Sequence, residues 1–254
     1  MPKKEKKFYI TTSIAYTNAP PHIGFALESI QADVLARYHR ALGEDVFFLT
    51  GTDEHGTKIA KAAEQAGKTP KEFVDLISSQ YKKLKETLNL SNDDFIRTTD
   101  QKRHWPTVQK IWLKLKDNND IYKKKYQGFY CYGCEEFKTQ KELVNGKCPI
   151  HQKEVELIEE ENYFFKLSKF ADKIKKAIES NKLKITPEGK KKEILSFIEQ
   201  GVEDISFSRS VKKLGWGIPV HGDDSQKIYV WTDALSNYIS AIDYENEGRK
   251  FKKY

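Results

Sequence analysis

Phe8-Tyr9-Ile10-Thr11-Thr12-Ser13-Ile14, then a polar and proline-containing turn, then residues 24–42, then Val46-Phe47-Phe48-Leu49 is the stretch that decides the fold. The first and last runs are β-branched and aromatic, which predicts buried strands. The middle carries Ala26, Leu27, Ile30, Val34, Leu35 and Tyr38 at helical spacing, and Gly43 stops that helix. A strand, a helix and a strand of these lengths make a parallel crossover, so the fold class is α/β with a parallel sheet. Working outward, residues 57–66 and 70–88 read as helices, 94–98 as a strand, and 101–116 as a helix whose Pro106 suits a first turn.

From about Ile121 the pattern changes to short aromatic segments, and Cys131, Cys134, Cys148 and His151 form a C-x2-C-x13-C-x2-H run that uses every cysteine of the chain. Two knuckles, with the turn dipeptide Asn145-Gly146 between them, bring four soft or borderline donors to tetrahedral distance and predict a structural zinc site. Helices are expected over 169–180 and 187–200, and short strands at 205–207, 218–220 and 228–231. The expected division is 1–118 for the first half of the α/β domain, 119–213 for a zinc-binding insertion and 214–254 for the resumption of the α/β domain.

The 254 residues, 38% of them hydrophobic, suffice for a sizeable core. With 44 Lys and Arg against 37 Asp and Glu, the net charge of +7 suits a phosphate-rich partner. No apolar run approaches the ~20 residues that span a bilayer, and the lysine-rich start lacks a signal-peptide core, so a cytoplasmic protein without a membrane partner is expected. An odd number of cysteines fits a reducing compartment in which all three serve as thiolates.

Where the first strand turns into its helix, unpaired N–H groups and the helix dipole favour phosphate. His22 supplies a donor nitrogen there, and Gly24 opens the backbone to a nucleotide. The next strand ends in Gly51-Thr52-Asp53-Glu54-His55-Gly56, a polar cluster at the sheet edge where open α/β folds bind ligands. Those blocks, together with Ser13-Ile14-Ala15-Tyr16-Thr17-Asn18-Ala19-Pro20-Pro21 and residues 229–239 around Trp231, resemble the methionyl-tRNA synthetase family over essentially the whole chain.

The resemblance implies a class I Rossmann-type catalytic domain carrying a one-zinc connective insertion. It implies that His22, Gly24 and Glu28 serve ATP, accompanied by Mg²⁺, and that Ile14, Tyr16, Asp53, Trp231, Ala234 and Tyr238 hold methionine. His22, Gly24 and Asp53 would carry the catalysis, Arg209 would be a basic residue near the active site, and tRNA(Met) would be the second substrate. Asp53 suits an ammonium group, and the aromatic faces suit a thioether. By the same resemblance, methionine attacks the α-phosphorus of ATP and the adenylate is transferred to tRNA, in protein biosynthesis.

Two departures shape the expectation. Phe25 stands where the family motif H-x-G-H has its second histidine, and no lysine-rich K-M-S-K-S loop follows the Trp231 block. Lys166-Leu167-Ser168-Lys169 imitates that loop, but its position before Trp231 reads as a decoy in which Ser168 caps a helix. The sequence therefore reads as the front part of a synthetase, able to bind zinc and methionine but weak or inactive in adenylation alone. The competing readings are a small cofactor adenylyltransferase, which explains neither the zinc run nor the Trp231 block, and a non-catalytic zinc-ribbon protein that binds RNA through its basic surface.

Overall fold

The computed structural model describes residues 6–254, and the start of the lysine-rich N-terminus, residues 1–5, lies outside the described residues. The chain opens with β1 (Lys7–Thr11), β2 (Ala15–Tyr16), α1 (Ile23–Ala41) and β3 (Asp45–Asp53), the strand–helix–strand unit expected from the sequence. Helices α2 (Thr57–Gln65) and α3 (Pro70–Thr87) lead to β4 (Asp94–Arg97). Strands β1 and β2 lie parallel along one edge of β3 and β4 parallel along the other, so the α/β class with a parallel sheet is observed. Alternation along β3 serves two cores: Phe48 packs with Ala32 and Ala36 of α1, whereas Phe47 and Leu49 pack with Ile96, Ala241 and Ile242.

The expected face of α1 is reversed. Leu27, Val34 and Tyr38 are more than half exposed, at 57%, 60% and 59%, while Ser29, Ala32, Asp33 and Ala36 point inward. Small residues let the helix approach Phe48 closely. Asp33 is drawn in by the amide and hydroxyl of Ser91, each 2.6 Å from its Oδ1, and by Arg37 at 2.6 Å. Helix α4 (Trp105–Asp117) begins four residues later than periodicity suggested, because the Asp100 carboxylate accepts the amides of Lys102 and Arg103 and folds residues 100–104 into a turn. Pro106 falls in the first turn of α4, as expected.

The inserted lobe is built on β5 (Ile121–Cys131), β6 (Glu136–Lys138) and β7 (Glu156–Phe165), antiparallel in the order β6-β5-β7. Ile158, Glu160, Asn162 and Phe164 of β7 face inward, the period-two pattern of a half-buried strand. Next come α5 (Ala171–Glu179), α6 (Glu188–Glu199), β8 (Ile205–Ser206), which pairs with β7, β9 (Ser208–Ser210), β10 (Pro219–Val220) and β11 (Asp223–Ile228). The last three form an antiparallel sheet in the order β10-β11-β9, drawing strands from both sides of residue 214. Ser168 does not cap α5: its hydroxyl donates to Asp204 at 2.6 Å, inside a 3₁₀ turn over Leu167–Phe170 that precedes the helix.

The chain closes with α7 (Val230–Ser240) and the short α8 (Arg249–Lys253). The run 228–231, expected as a strand, is split between the end of β11 and the start of α7, an ambiguity that a four-residue apolar run carries by itself. Val108 and Trp112 of α4, Ile121, Val220 and Ile228 share one core, which ties both ends of the insertion to the α/β unit.

Candidate functional site

The site is assembled where β2 and β3 end and α1 and α7 begin. Tyr16 of β2 is the register partner of Asp53 at the end of β3, and both the amide and the hydroxyl of Thr17 donate to the Asp53 carbonyl at 3.0 Å. The Asp53 residue is half-buried, but its Oδ1 is enclosed and lacks any hydrogen-bond donor among the described residues. Burial first, then the nearby Asp233 and Glu135 carboxylates, hold its pKa well above the usual carboxylate range. An orphaned buried acceptor of this kind is the chemistry that a substrate cation relieves.

Tyr238 of α7 lies within electrostatic reach of Asp53 and Glu28, and the Ile14 backbone hydrogen-bonds to it; burial raises its hydroxyl above the ordinary value. Burial raises Tyr16 too, reinforced by Glu135. Ile14, Tyr16, Asp53 and Tyr238 are thus brought together. Ala234 is buried on α7, one residue from Asp233, whereas Trp231 is 55% exposed at the start of that helix and therefore does not sit in the core.

His22 is the N-cap of α1. Its Nδ1 accepts the Gly24 amide at 3.1 Å, which leaves Nε2 as the protonated nitrogen of the neutral ring. A β-carbon on Gly24 would stand 2.9 Å from Cε1 of that ring, so the glycine is required by the histidine cap itself as well as by any approaching nucleotide. No acidic residue occupies the first turn, which keeps the positive end of the helix open to an anion. Phe25, in place of the motif's second histidine, points the other way: it is buried edge-on against Tyr81, with ring centroids 5.1 Å apart. Glu28 holds the strand-end loop, accepting the Ser13 amide at 2.5 Å and the Ser13 hydroxyl at 2.8 Å.

Arg209 is buried rather than a surface residue. Its guanidinium lies 4.2 Å from the Tyr229 ring centroid and 5.0 Å from that of Phe137, and it donates to the Ser206 hydroxyl at 2.7 Å and the Ser208 carbonyl at 2.8 Å. A cavity of about 300 Å³ lies apart from this constellation, between α1, α3 and the start of β4, lined by Phe25, Ser29, Tyr81, Lys85, Asn92 and Arg103.

The ligating atoms of Cys131, Cys134, Cys148 and His151 all lie within 4.8 Å of one another. Cys134 and Cys148 sulfurs are 3.6 Å apart, and His151 Nδ1 is 3.4 to 3.8 Å from the three sulfurs. Tetrahedral zinc with bonds of ~2.0–2.3 Å requires ligand separations close to these. The glycine of the first knuckle is needed because a β-carbon on Gly133 would stand 2.5 Å from the His151 ring.

Sequence reasoning missed Glu135, which follows the first knuckle. Its backbone is left-handed at φ 56°, its side chain is buried, and it reaches the site: Oε2 accepts the Tyr16 hydroxyl at 2.5 Å and Oε1 accepts the Lys58 amide at 2.9 Å. That amide opens α2, whose N-cap Gly56 has no side chain to serve it. Nothing local in the sequence signals a partner 119 residues away.

Compared with known proteins, residues 8–156 and 138–254 match the family described as tRNA synthetases class I (M). The chain is 47% identical over 256 residues to the methionine–tRNA ligase of Streptomyces coelicolor, covering 97% of this chain and 47% of that protein. It is 48% identical over 252 residues to the methionine–tRNA ligase of Thermotoga maritima, covering 98% of this chain and 40% of that one. Among solved structures, Mycobacterium tuberculosis methionyl-tRNA synthetase bound by methionyl-adenylate superposes with a TM-score of 0.92 at 38% identity, over 98% of this chain and 50% of that chain. The chain thus spans half or less of the length of these relatives.

Proposed function

Because the chain belongs to the class I tRNA synthetases of the methionine group, we propose that it acts in methionine–tRNA ligation, binding methionine and ATP at the junction of β2, β3, α1 and α7. The observation that carries this reading is the buried Asp53 carboxylate with a vacant acceptor beside Tyr16 and Tyr238. A substrate ammonium pairs with Asp53, and Ile14, Ala234 and the faces of Tyr16, Trp231 and Tyr238 receive the thioether, whose contact with each ring is worth ~0.3–1.5 kcal/mol. The carboxylate of the bound amino acid then points toward the α1 terminus.

There His22 Nε2–H donates to the phosphates of ATP and the positive end of the α1 dipole faces them, with Gly24 allowing close approach and Glu28 fixing the loop that carries Ile14 and Tyr16. Attack of the methionine carboxylate oxygen on the α-phosphorus forms the mixed anhydride and breaks the α–β bridge, releasing pyrophosphate. Attack by the terminal ribose hydroxyl of tRNA(Met) on the acyl carbon then releases AMP. No side chain forms a covalent intermediate; the protein contributes alignment and positive potential where charge develops. Mg²⁺ accompanying ATP supplies charge neutralisation of the phosphates.

Cys131, Cys134, Cys148 and His151 hold one structural zinc, which closes the lobe and leaves no position for substrate. Arg209, enclosed by Tyr229 and Phe137, braces the β9 strand that follows the lobe and lends positive potential to the site. The units proposed are 1–118, 119–213 and 214–254, as read from the sequence. Titration calorimetry tests the reading: saturable heat with methionine and none with leucine is expected, together with methionine-dependent ATP–pyrophosphate exchange that is weak or absent in this chain, whereas exchange at the rate of a full-length synthetase would show that expectation wrong. Binding of RNA without any binding of methionine would favour the non-catalytic zinc-ribbon alternative instead.

A further inference from the structure

Two carboxylates stand close together at this site, and only one can be the ammonium acceptor. Asp233 is fully buried on α7 between Trp231 and Ala234, and each of its oxygens is taken by an imidazole. His55, two residues beyond Asp53, donates from Nδ1 to Oδ2 at 2.6 Å. His104, at the start of α4, donates from Nε2 to Oδ1 at 2.7 Å and is braced on its other side by the Ser240 hydroxyl at 3.0 Å. Both histidines are themselves buried, and His55 lies against the rings of Trp105 and Trp216, with centroids 6.0 and 5.4 Å away.

Another acidic neighbour of Asp53, Glu54, is likewise saturated: Arg97 donates to it at 2.7 and 2.9 Å, and the hydroxyls of Thr52 and Thr99 complete the set. Glu135 is occupied by Tyr16 and the Lys58 amide. Among the described residues, Asp53 Oδ1 is the enclosed carboxylate oxygen of this group with no donor.

Resting on the reading above, we propose that His55 and His104 are positioning residues of the amino-acid site: they clamp Asp233 so that α7 is held in register against the end of β3, and they occupy the carboxylate that would otherwise compete with Asp53 for the substrate ammonium. The clamp joins three segments distant in sequence, with His55 178 and His104 129 residues from Asp233. It fixes the distance between the ammonium acceptor on β3 and the thioether wall on α7, a distance that a side chain of three carbons and one sulfur has to match. Burial works to raise Asp233, yet His55 and His104 bring it below the ordinary carboxylate value, consistent with a permanently engaged anion.

The test measures binding of L-methionine and of 4-(methylthio)butanoate, the same molecule without its ammonium group, by calorimetry and ligand-observed NMR on the 254-residue protein. Alanine at either histidine removes the N–H toward Asp233. His55→Asn and His104→Gln are isosteres that keep an N–H near Nδ1 and Nε2 respectively. Loss of about tenfold or more in methionine affinity is expected for the alanine variants, with the desamino acid changed by less than about twofold and the isosteres within about threefold of the parent.

Alanine variants that bind methionine as the parent does, or that lose both compounds equally, overturn the proposal, as do isosteres that behave like alanine. Should the alanine variants not fold, Asp233→Asn, which keeps the side-chain size but faces an imidazole N–H with an amide N–H₂, is expected to give the same selective loss, and an unchanged methionine affinity there has the same adverse meaning. A parent protein that binds no methionine sinks the functional reading itself, whereas binding by the parent with unshifted variants sinks this inference alone.

Discussion

Breaking the Glu135–Tyr16 contact tests whether the metal lobe sets the shape of the amino-acid site. Glu135→Ala removes a charged acceptor from the Tyr16 hydroxyl at 2.5 Å and from the Lys58 amide at 2.9 Å. Hydrogen bonds to a charged group contribute ~1.5–3 kcal/mol each, and part of the loss is recovered by water reaching the α2 terminus, so about 2–4 kcal/mol of stability is expected to disappear. Tyr16→Phe removes one of the two bonds and should cost about 1–3 kcal/mol. If the two side chains act through each other, the double variant loses less than the sum, with a coupling of about 1.5–3 kcal/mol. Urea unfolding of the four proteins gives the cycle, and a colorimetric zinc assay on each checks that the metal is retained. A coupling below about 0.5 kcal/mol with zinc intact would refute the view that Glu135 links the knuckle to Tyr16.

Three further expectations follow from burial and charge. The reversed face of α1 predicts that Val34→Ala costs under about 0.5 kcal/mol, whereas Ala36→Leu, forced against Phe48, costs about 1–3 kcal/mol in the same unfolding assay. If the four ligands hold zinc as proposed, removing it with a chelator should loosen the knuckles over residues 131–151 while leaving the parallel sheet protected in hydrogen exchange, because those residues are tied together by the cluster whereas the ends of β5 and β7 pack on the α4 core. Asp53 is raised in the folded state, so it stabilises the ligand-free protein below the ordinary carboxylate value and that contribution fades as pH climbs through the raised value. The urea midpoint of the parent should therefore fall with rising pH over that window, while Asp53→Asn flattens the profile and is the more stable protein at pH 7.

Much of the frame is legible in the residues because it is local. The strand–helix–strand unit rests on runs at periods of two and 3.6, and the metal set rests on four ligands within 21 residues. What stays hidden is long-range. The face of α1 is decided by Ala32 and Ala36 fitting under Phe48 and by Asp33 reaching Ser91, neither of which a count of apolar side chains registers. The clamp on Asp233 and the reach of Glu135 to Tyr16 join residues more than a hundred positions apart, each an ordinary surface type when read alone. Arg209 looks like a solvated arginine in Ser208-Arg209-Ser210 until Tyr229 and Phe137 close over it.

The most direct measurement is the affinity of the parent and of Asp53→Asn for methionine, with leucine as the control. Loss of a buried charged partner costs about 3–5 kcal/mol, so methionine binding is expected to weaken by roughly 100-fold or more, and leucine is expected to bind neither protein. Equal affinity of the two proteins for methionine, or a parent that does not distinguish methionine from leucine, would contradict the assignment of Asp53 as the ammonium acceptor and with it the site.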